Sequence, residues 1–238
     1  MALPRINETL NFTMTIPSTG KVVKYRPYLV KEEKILLQAF ESKDQQTCLE
    51  AMCDTLSACL DQTDQVDVSR LATFDVEYMF TQVRSKSVGE TSTIFIKCKD
   101  PDCGTRNEYI IDLDSLSIEV GEDRNILKVT DNISIEMRYP SYSSLMTTNT
   151  KNVEDMDTAL NMLAGSIAAV ITEEERIDAS EVSKSEILEF LTSMTANQLQ
   201  GLTDFVQNMP ALKHTAEFNC IKCGVENKLE LKGLSDFF

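Results

Sequence analysis

The chain has 238 residues, 42% hydrophobic and 26% charged, a balance that suits a soluble globular protein with a core of its own, as one large domain or two small ones. With 23 Lys and Arg against 38 Asp and Glu, the net charge is −15, which argues against nucleic-acid binding, because that affinity comes largely from Lys and Arg on phosphates. The longest apolar run, Met162 to Ile171, falls well short of the roughly 20 residues a bilayer needs, and Met1-Ala2-Leu3-Pro4-Arg5 leads into a polar stretch rather than a signal peptide.

In chain order, Leu10, Phe12, Met14 and Ile16 alternate with polar residues, the pattern of a strand with one buried face. Pro17-Ser18-Thr19-Gly20 supplies a turn, and Val22, Val23 and Tyr25 return to make a hairpin. Helices are predicted over Val30 to Ser42 and over Gln45 to Leu60, the second with Asp44 as its N-cap. The second carries an apolar stripe of Leu49, Met52, Cys53, Leu56, Cys59 and Leu60, so Cys53 and Cys59 read as small buried hydrophobes and Cys48 as a structural neighbour. A third helix is predicted over Phe74 to Ser87.

The middle reads as β-rich, with Thr91–Lys97, Asn107–Leu113 and a hairpin joining Ile126–Val129 to Ile133–Met137. Beyond Asn152, the stripe Met156, Leu160, Leu163, Ile167 and Val170 predicts a helix ending near Ile171, with Glu173-Glu174-Glu175 as a solvated linker. Two capping boxes, Ser183 with Glu186 and Thr195 with Gln198, announce two further helices, the second stopped by Pro210. Thr215–Asn219 and Glu226–Leu231 form a last hairpin, and no internal repeat is evident.

Two cysteine pairs carry the chemistry. Cys98-Lys-Asp-Pro-Asp-Cys103-Gly and Cys220-Ile-Lys-Cys223-Gly each place two thiols on one tight turn that ends in glycine and is flanked by β-like sequence. Four thiolates suit one tetrahedral Zn2+ in a closed structural site, and with 116 residues between Cys103 and Cys220 the ion would tie mid-chain to the C-terminus. Seven cysteines without a secretory leader fit a reducing compartment, where paired spacing reads as metal rather than disulfide. A redox CxxC is expected to open a helix, and Cys220 does not.

An enzyme lacks positive support. His214 is the only histidine, which leaves little for general-base chemistry; it reads as structural. There is no GxSxG, GxxxxGK[ST] or GxGxxG word after a strand. The chain ends in Phe237-Phe238, and an apolar terminus can dock in a partner groove.

Several words of the sequence are familiar. Ile16-Pro17-Ser18-Thr19-Gly20 with Tyr25-Arg26-Pro27-Tyr28-Leu29-Val30-Lys31-Glu32-Glu33-Lys34, then Phe74-Asp75-Val76-Glu77-Tyr78-Met79-Phe80 and Arg84-Ser85-Lys86-Ser87-Val88-Gly89-Glu90, then Met137-Arg138-Tyr139-Pro140, resemble the baseplate hub assembly family of contractile-tailed bacteriophages. The resemblance covers residues 5 to 145 well and continues more loosely to the end. It implies a non-enzymatic protein of tail morphogenesis, working in the infected host's cytoplasm as a virion component or assembly chaperone with other hub and tail proteins as partners.

Together these readings predict an α+β fold of helical layers, short antiparallel hairpins and a zinc-ribbon-like module. The expected organisation is a hairpin plus helices over 1–90, a zinc-ribbon module from 91–140 and 211–238, and a helical segment over 141–210. The expected metal ligands are Cys98, Cys103, Cys220 and Cys223, and the expected partner-binding residues are Phe237 and Phe238. The competing function is a zinc-ribbon regulator that binds the host transcription machinery.

Overall fold

The structure, a computed structural model, describes residues 12–42, 44–118, 120, 125–142, 144 and 156–237. Its described elements form an α+β fold of helices and antiparallel sheets. The chain divides into two compact units. One takes its described residues from 1–68, 74–119 and 210–238, the other from 69–73 and 120–209. No helix among the described residues is long and apolar enough to cross a membrane.

The first unit opens with the hairpin β1 (Phe12–Thr15) and β2 (Val22–Tyr25), in which Phe12 pairs with Tyr25 and Thr15 with Val22. Alternation does what the sequence asked of it: Met14, Ile16, Val23 and Tyr25 are buried. Leu10 lies outside the described residues. The helices α1 (Val30–Ser42), α2 (Gln45–Cys59) and α3 (Thr73–Val88) follow. Asp44 caps α2 by accepting the Thr47 amide at 2.9 Å. Leu56, Cys53 and Cys59 are buried as expected of the stripe, and Cys48 is half-buried with its thiol on the Ala39 carbonyl.

Most of the sequence words that carry the resemblance, those between Ile16 and Glu90, knit this unit together. The Asp75 carboxylate on α3 is fully buried and accepts the Ser18 amide at 2.8 Å and the Ser18 hydroxyl at 2.5 Å, fixing the β1–β2 turn. Arg26 donates to Glu32 at 2.9 Å and to the Ala58 carbonyl at 3.0 Å, so this buried ion pair has its hydrogen bonds filled. The Tyr28 amide donates to the Ser87 hydroxyl at 2.9 Å. These words are thus contact sets of a scaffold.

Two seven-residue hairpins complete the unit: β3 (Thr91–Lys97) with β4 (Arg106–Asp112), and β9 (Lys213–Asn219) with β10 (Glu226–Lys232). A 3-10 turn follows each, Leu113–Ser115 and Leu234–Asp236. The inward faces share one apolar cluster of Ile96, Ile111, Leu113, Leu116, Leu212, Ala216, Leu231 and Phe237, with Tyr78 of α3 packed against it.

The second unit is an antiparallel sheet in the order β5 (Ile126–Lys128), β6 (Ile133–Met137), β7 (Ile167–Thr172), β8 (Arg176–Asp178), with helices α4 (Met156–Ser166), α5 (Lys184–Thr192) and α6 (Ala196–Gln207). Both predicted capping boxes are present, Ser183 with Glu186 and Thr195 with Gln198. The core joins Ile135, Met137 and Ile167 of the sheet to Leu163, Leu191, Leu202 and Val206 of the helices.

One prediction fails here. The helix expected to run to Ile171 stops at Ser166, and Ile167–Thr172 is a central strand pairing Val170 with Ile135 and Ile177. The run Ile-Ala-Ala-Val-Ile-Thr is apolar on both faces, so the helical stripe continues through it by coincidence, while its β-branched residues favour the strand. The segment 141–210 is therefore not purely helical. Glu173–Glu175 is the turn of the β7–β8 hairpin, closed by Thr172 N–H on the Glu175 carbonyl at 2.9 Å.

Candidate metal centre

The two cysteine turns cap the paired hairpins of the first unit. In the first, the Cys98 amide donates to the Thr105 carbonyl at 2.8 Å, and the Cys103 and Gly104 amides turn back onto the Asp100 carbonyl. In the second, the Cys220 amide donates to the Val225 carbonyl and the Gly224 amide to the Cys220 carbonyl, both at 2.9 Å. Gly104 and Gly224 have φ of +56° and +72°, the left-handed region that a side chain resists. This is why glycine follows each second cysteine.

The geometry brings all four sulfurs together, every pair within 4.8 Å. Cys98 Sγ lies 3.7 Å from Cys223 Sγ, and Cys103 Sγ lies 3.7 Å from Cys220 Sγ. A tetrahedral ion with metal–sulfur bonds of about 2.3 Å has sulfur–sulfur edges of about 3.8 Å. Cys98 and Cys220 are buried, Cys103 is half-buried and Cys223 is exposed. The donor set fits a single soft or borderline cation with no position left for substrate.

The electrostatics fit the same role. Amides of Cys223 and Lys222 donate to Cys220 and hold its thiol down to about 6. The Thr105 hydroxyl and amide hold the Cys103 thiol below its ordinary value. Although the Val225 amide favours its thiolate, Cys223 is pushed up to about 12 by desolvation and by the three neighbouring sulfurs. Turns that stabilise some thiolates while the sulfurs repel further ionisation are what a bound dication relieves.

The hairpins form a repeat that the sequence reading missed. Cys103-Gly104-Thr105-Arg106-Asn107 and Cys223-Gly224-Val225-Glu226-Asn227 share the word C-G-x-x-N. The Leu113 amide closes its hairpin on the Glu90 carbonyl at 2.8 Å, and the Gly233 amide does so on the Leu212 carbonyl at 2.9 Å. The residue that closes each 3-10 turn then joins the shared cluster, Leu116 after the first and Phe237 after the second. The first loop is longer by two residues, CxxxxC against CxxC, which hides the match from a fixed-period search.

The repeat corrects the expectation for Phe237. It is the counterpart of Leu116 and fully buried, with its carbonyl accepting the Ser92 hydroxyl at 2.6 Å, so its ring is not free for a partner groove. Phe238 lies outside the described residues. His214 sits away from the sulfur cluster, its Nε2 3.1 Å from the Tyr109 hydroxyl.

Two hairpins capped by four cysteines, in a unit that also holds three helices, define an α+β protein with a candidate structural metal site. The match of the family model described as T4 bacteriophage base plate protein runs over residues 8–238. The chain belongs to that family of T4-type phage baseplate proteins. Comparison with curated proteins and with solved structures gives no match.

Proposed function

We propose that this baseplate protein is a non-enzymatic factor of tail morphogenesis that acts in assembly of the central hub by protein–protein recognition. Its structural cofactor is Zn2+, held by Cys98, Cys103, Cys220 and Cys223. The observation that carries the reading is family membership across nearly the whole chain. The sulfur cluster supports the zinc: its edges match a tetrahedral thiolate site, and a closed site braces rather than catalyses. The buried Asp75–Ser18 and Arg26–Glu32 contacts support a rigid scaffold for recognition. The charge of −15 suits protein partners in the host cytoplasm and the tail better than nucleic acid.

The test is affinity capture from infected cells with mass spectrometry of purified virions. Capture of hub and tail proteins is expected; fixed copies in virions identify a retained component, and their absence an assembly chaperone. Capture of polymerase subunits in place of tail proteins would overturn the proposal.

A further inference from the structure

Each cysteine turn is held by a side chain from the opposite hairpin. Asn107, second residue of β4, accepts the Ile221 amide on its Oδ1 at 2.9 Å and donates from Nδ2 to the Thr105 carbonyl of its own hairpin at 3.1 Å. Asn227, second residue of β10, accepts the Lys99 amide at 2.8 Å and donates to the Val225 carbonyl at 2.7 Å. Both side chains are buried, at 1% and 3% exposure. Ile221 and Lys99 occupy equivalent places, directly after the first cysteine of each turn. There the strand ladder has ended, because the Cys98 and Cys220 amides make its last bonds, and the next amide needs another partner.

We infer that Asn107 and Asn227 are the positioning residues of the four-sulfur site, a reciprocal clamp in which each hairpin sets the cysteine turn of the other. For its functional meaning the inference rests on the metal reading. The clamp fixes the first peptide of each turn, and in the second turn the amides that follow, those of Lys222 and Cys223, are aimed at the Cys220 sulfur. It also sets the distance between hairpins, so the sulfurs of Cys98 and Cys223, and of Cys103 and Cys220, meet at metal-binding range. A carboxamide suits the position because it supplies acceptor and donor together without adding charge beside thiolates. An aspartate would lose the donor and repel the sulfurs. The two bonds cross between hairpins separated by more than a hundred residues, so neither hairpin can make its own site geometry alone.

The test uses full-length Asn107→Ala and Asn227→Ala, well below their unfolding temperatures. Ser92→Ala serves as control, since it removes a buried hydrogen bond to Phe237 in the same apolar cluster. Zinc transfer to a chromogenic chelator is expected to quicken about tenfold in each asparagine variant and to stay within about twofold of wild type in Ser92→Ala. Amide hydrogen exchange, followed with and without zinc, is expected to show a crossed pattern. Asn107→Ala should deprotect Ile221 and spare Lys99, and Asn227→Ala should do the reverse. Unchanged exchange, or deprotection without the crossing, would overturn the clamp, as would equal quickening of zinc release in Ser92→Ala. If wild type takes up no zinc, the metal reading fails, and the crossed exchange pattern alone then decides for or against the clamp.

Discussion

Cys103 and Cys220 place their sulfurs 3.7 Å apart although they stand 117 positions apart in sequence. A metal there closes a long loop, which lowers the entropy of the unfolded chain, and its binding free energy is folding free energy. Cys220→Ser should therefore cost about 3 kcal/mol or more. Cys48→Ser, which alters only a half-buried thiol against the Ala39 carbonyl, should cost about 1 kcal/mol. Thermal unfolding of the reduced proteins checks this, and equal losses would contradict it.

Thiol reactivity should sort the seven cysteines. Burial pushes Cys53 up to about 12 and Cys59 up to about 11, so neither offers much thiolate at neutral pH. Chelated but folded protein treated with iodoacetamide should be modified at the two metal-site turns, where backbone amides and the Thr105 hydroxyl hold the Cys220 and Cys103 thiols below their ordinary value, before Cys53 and Cys59. Peptide mass spectrometry over a time course reads the order, and added zinc should slow modification of the site cysteines alone.

Phe237 should behave as a core residue despite its place near the chain end. It is fully buried among Ile96, Ile111 and Leu231. Phe237→Ala should lower stability by about 3–5 kcal/mol, and Leu116→Ala by about 2–5 kcal/mol, as expected for truncation in a packed core. Denaturant midpoints measure both, and a neutral Phe237→Ala would contradict the packing.

Glu77 provides a pH signature. Burial raises its carboxyl above the ordinary value, against the Leu234 amide and the Lys232 charge, which favour the carboxylate. The stability it contributes is fully present below its unfolded pKa, about 4.3, and is lost as pH rises through the higher folded value. Glu77→Gln keeps an acceptor for the Leu234 amide but has no charge to bury. Its stability relative to wild type should rise with pH through that window and then level off. Urea midpoints across the window test this, and a difference that shrinks with rising pH would contradict it.

Much of this architecture was legible because local chemistry and tertiary context agreed. Asp44, Ser183 and Thr195 announce helix starts through bonds made within one turn. The cysteine turns were legible for a similar reason: ligand spacing and the glycine after each second cysteine are local requirements of a knuckle. The β7 strand was not, because Ile167–Thr172 is apolar on both faces and its identity is decided by β6 and β8 beside it. Phe237 misled for the same reason, since only the neighbouring hairpin shows where its ring goes. Asn107 and Asn227 left a signal, the repeated C-G-x-x-N, but its meaning lies in bonds that cross between distant hairpins.

The most direct test of the account is metal analysis of reduced, purified, folded protein by mass spectrometry, alongside the absorption spectrum of the cobalt-substituted form. The account predicts about one zinc per chain and the intense bands of a tetrahedral four-thiolate site, both lost in Cys220→Ser. Folded wild-type protein with less than about a tenth of an equivalent of zinc, and no such bands with cobalt, would contradict it.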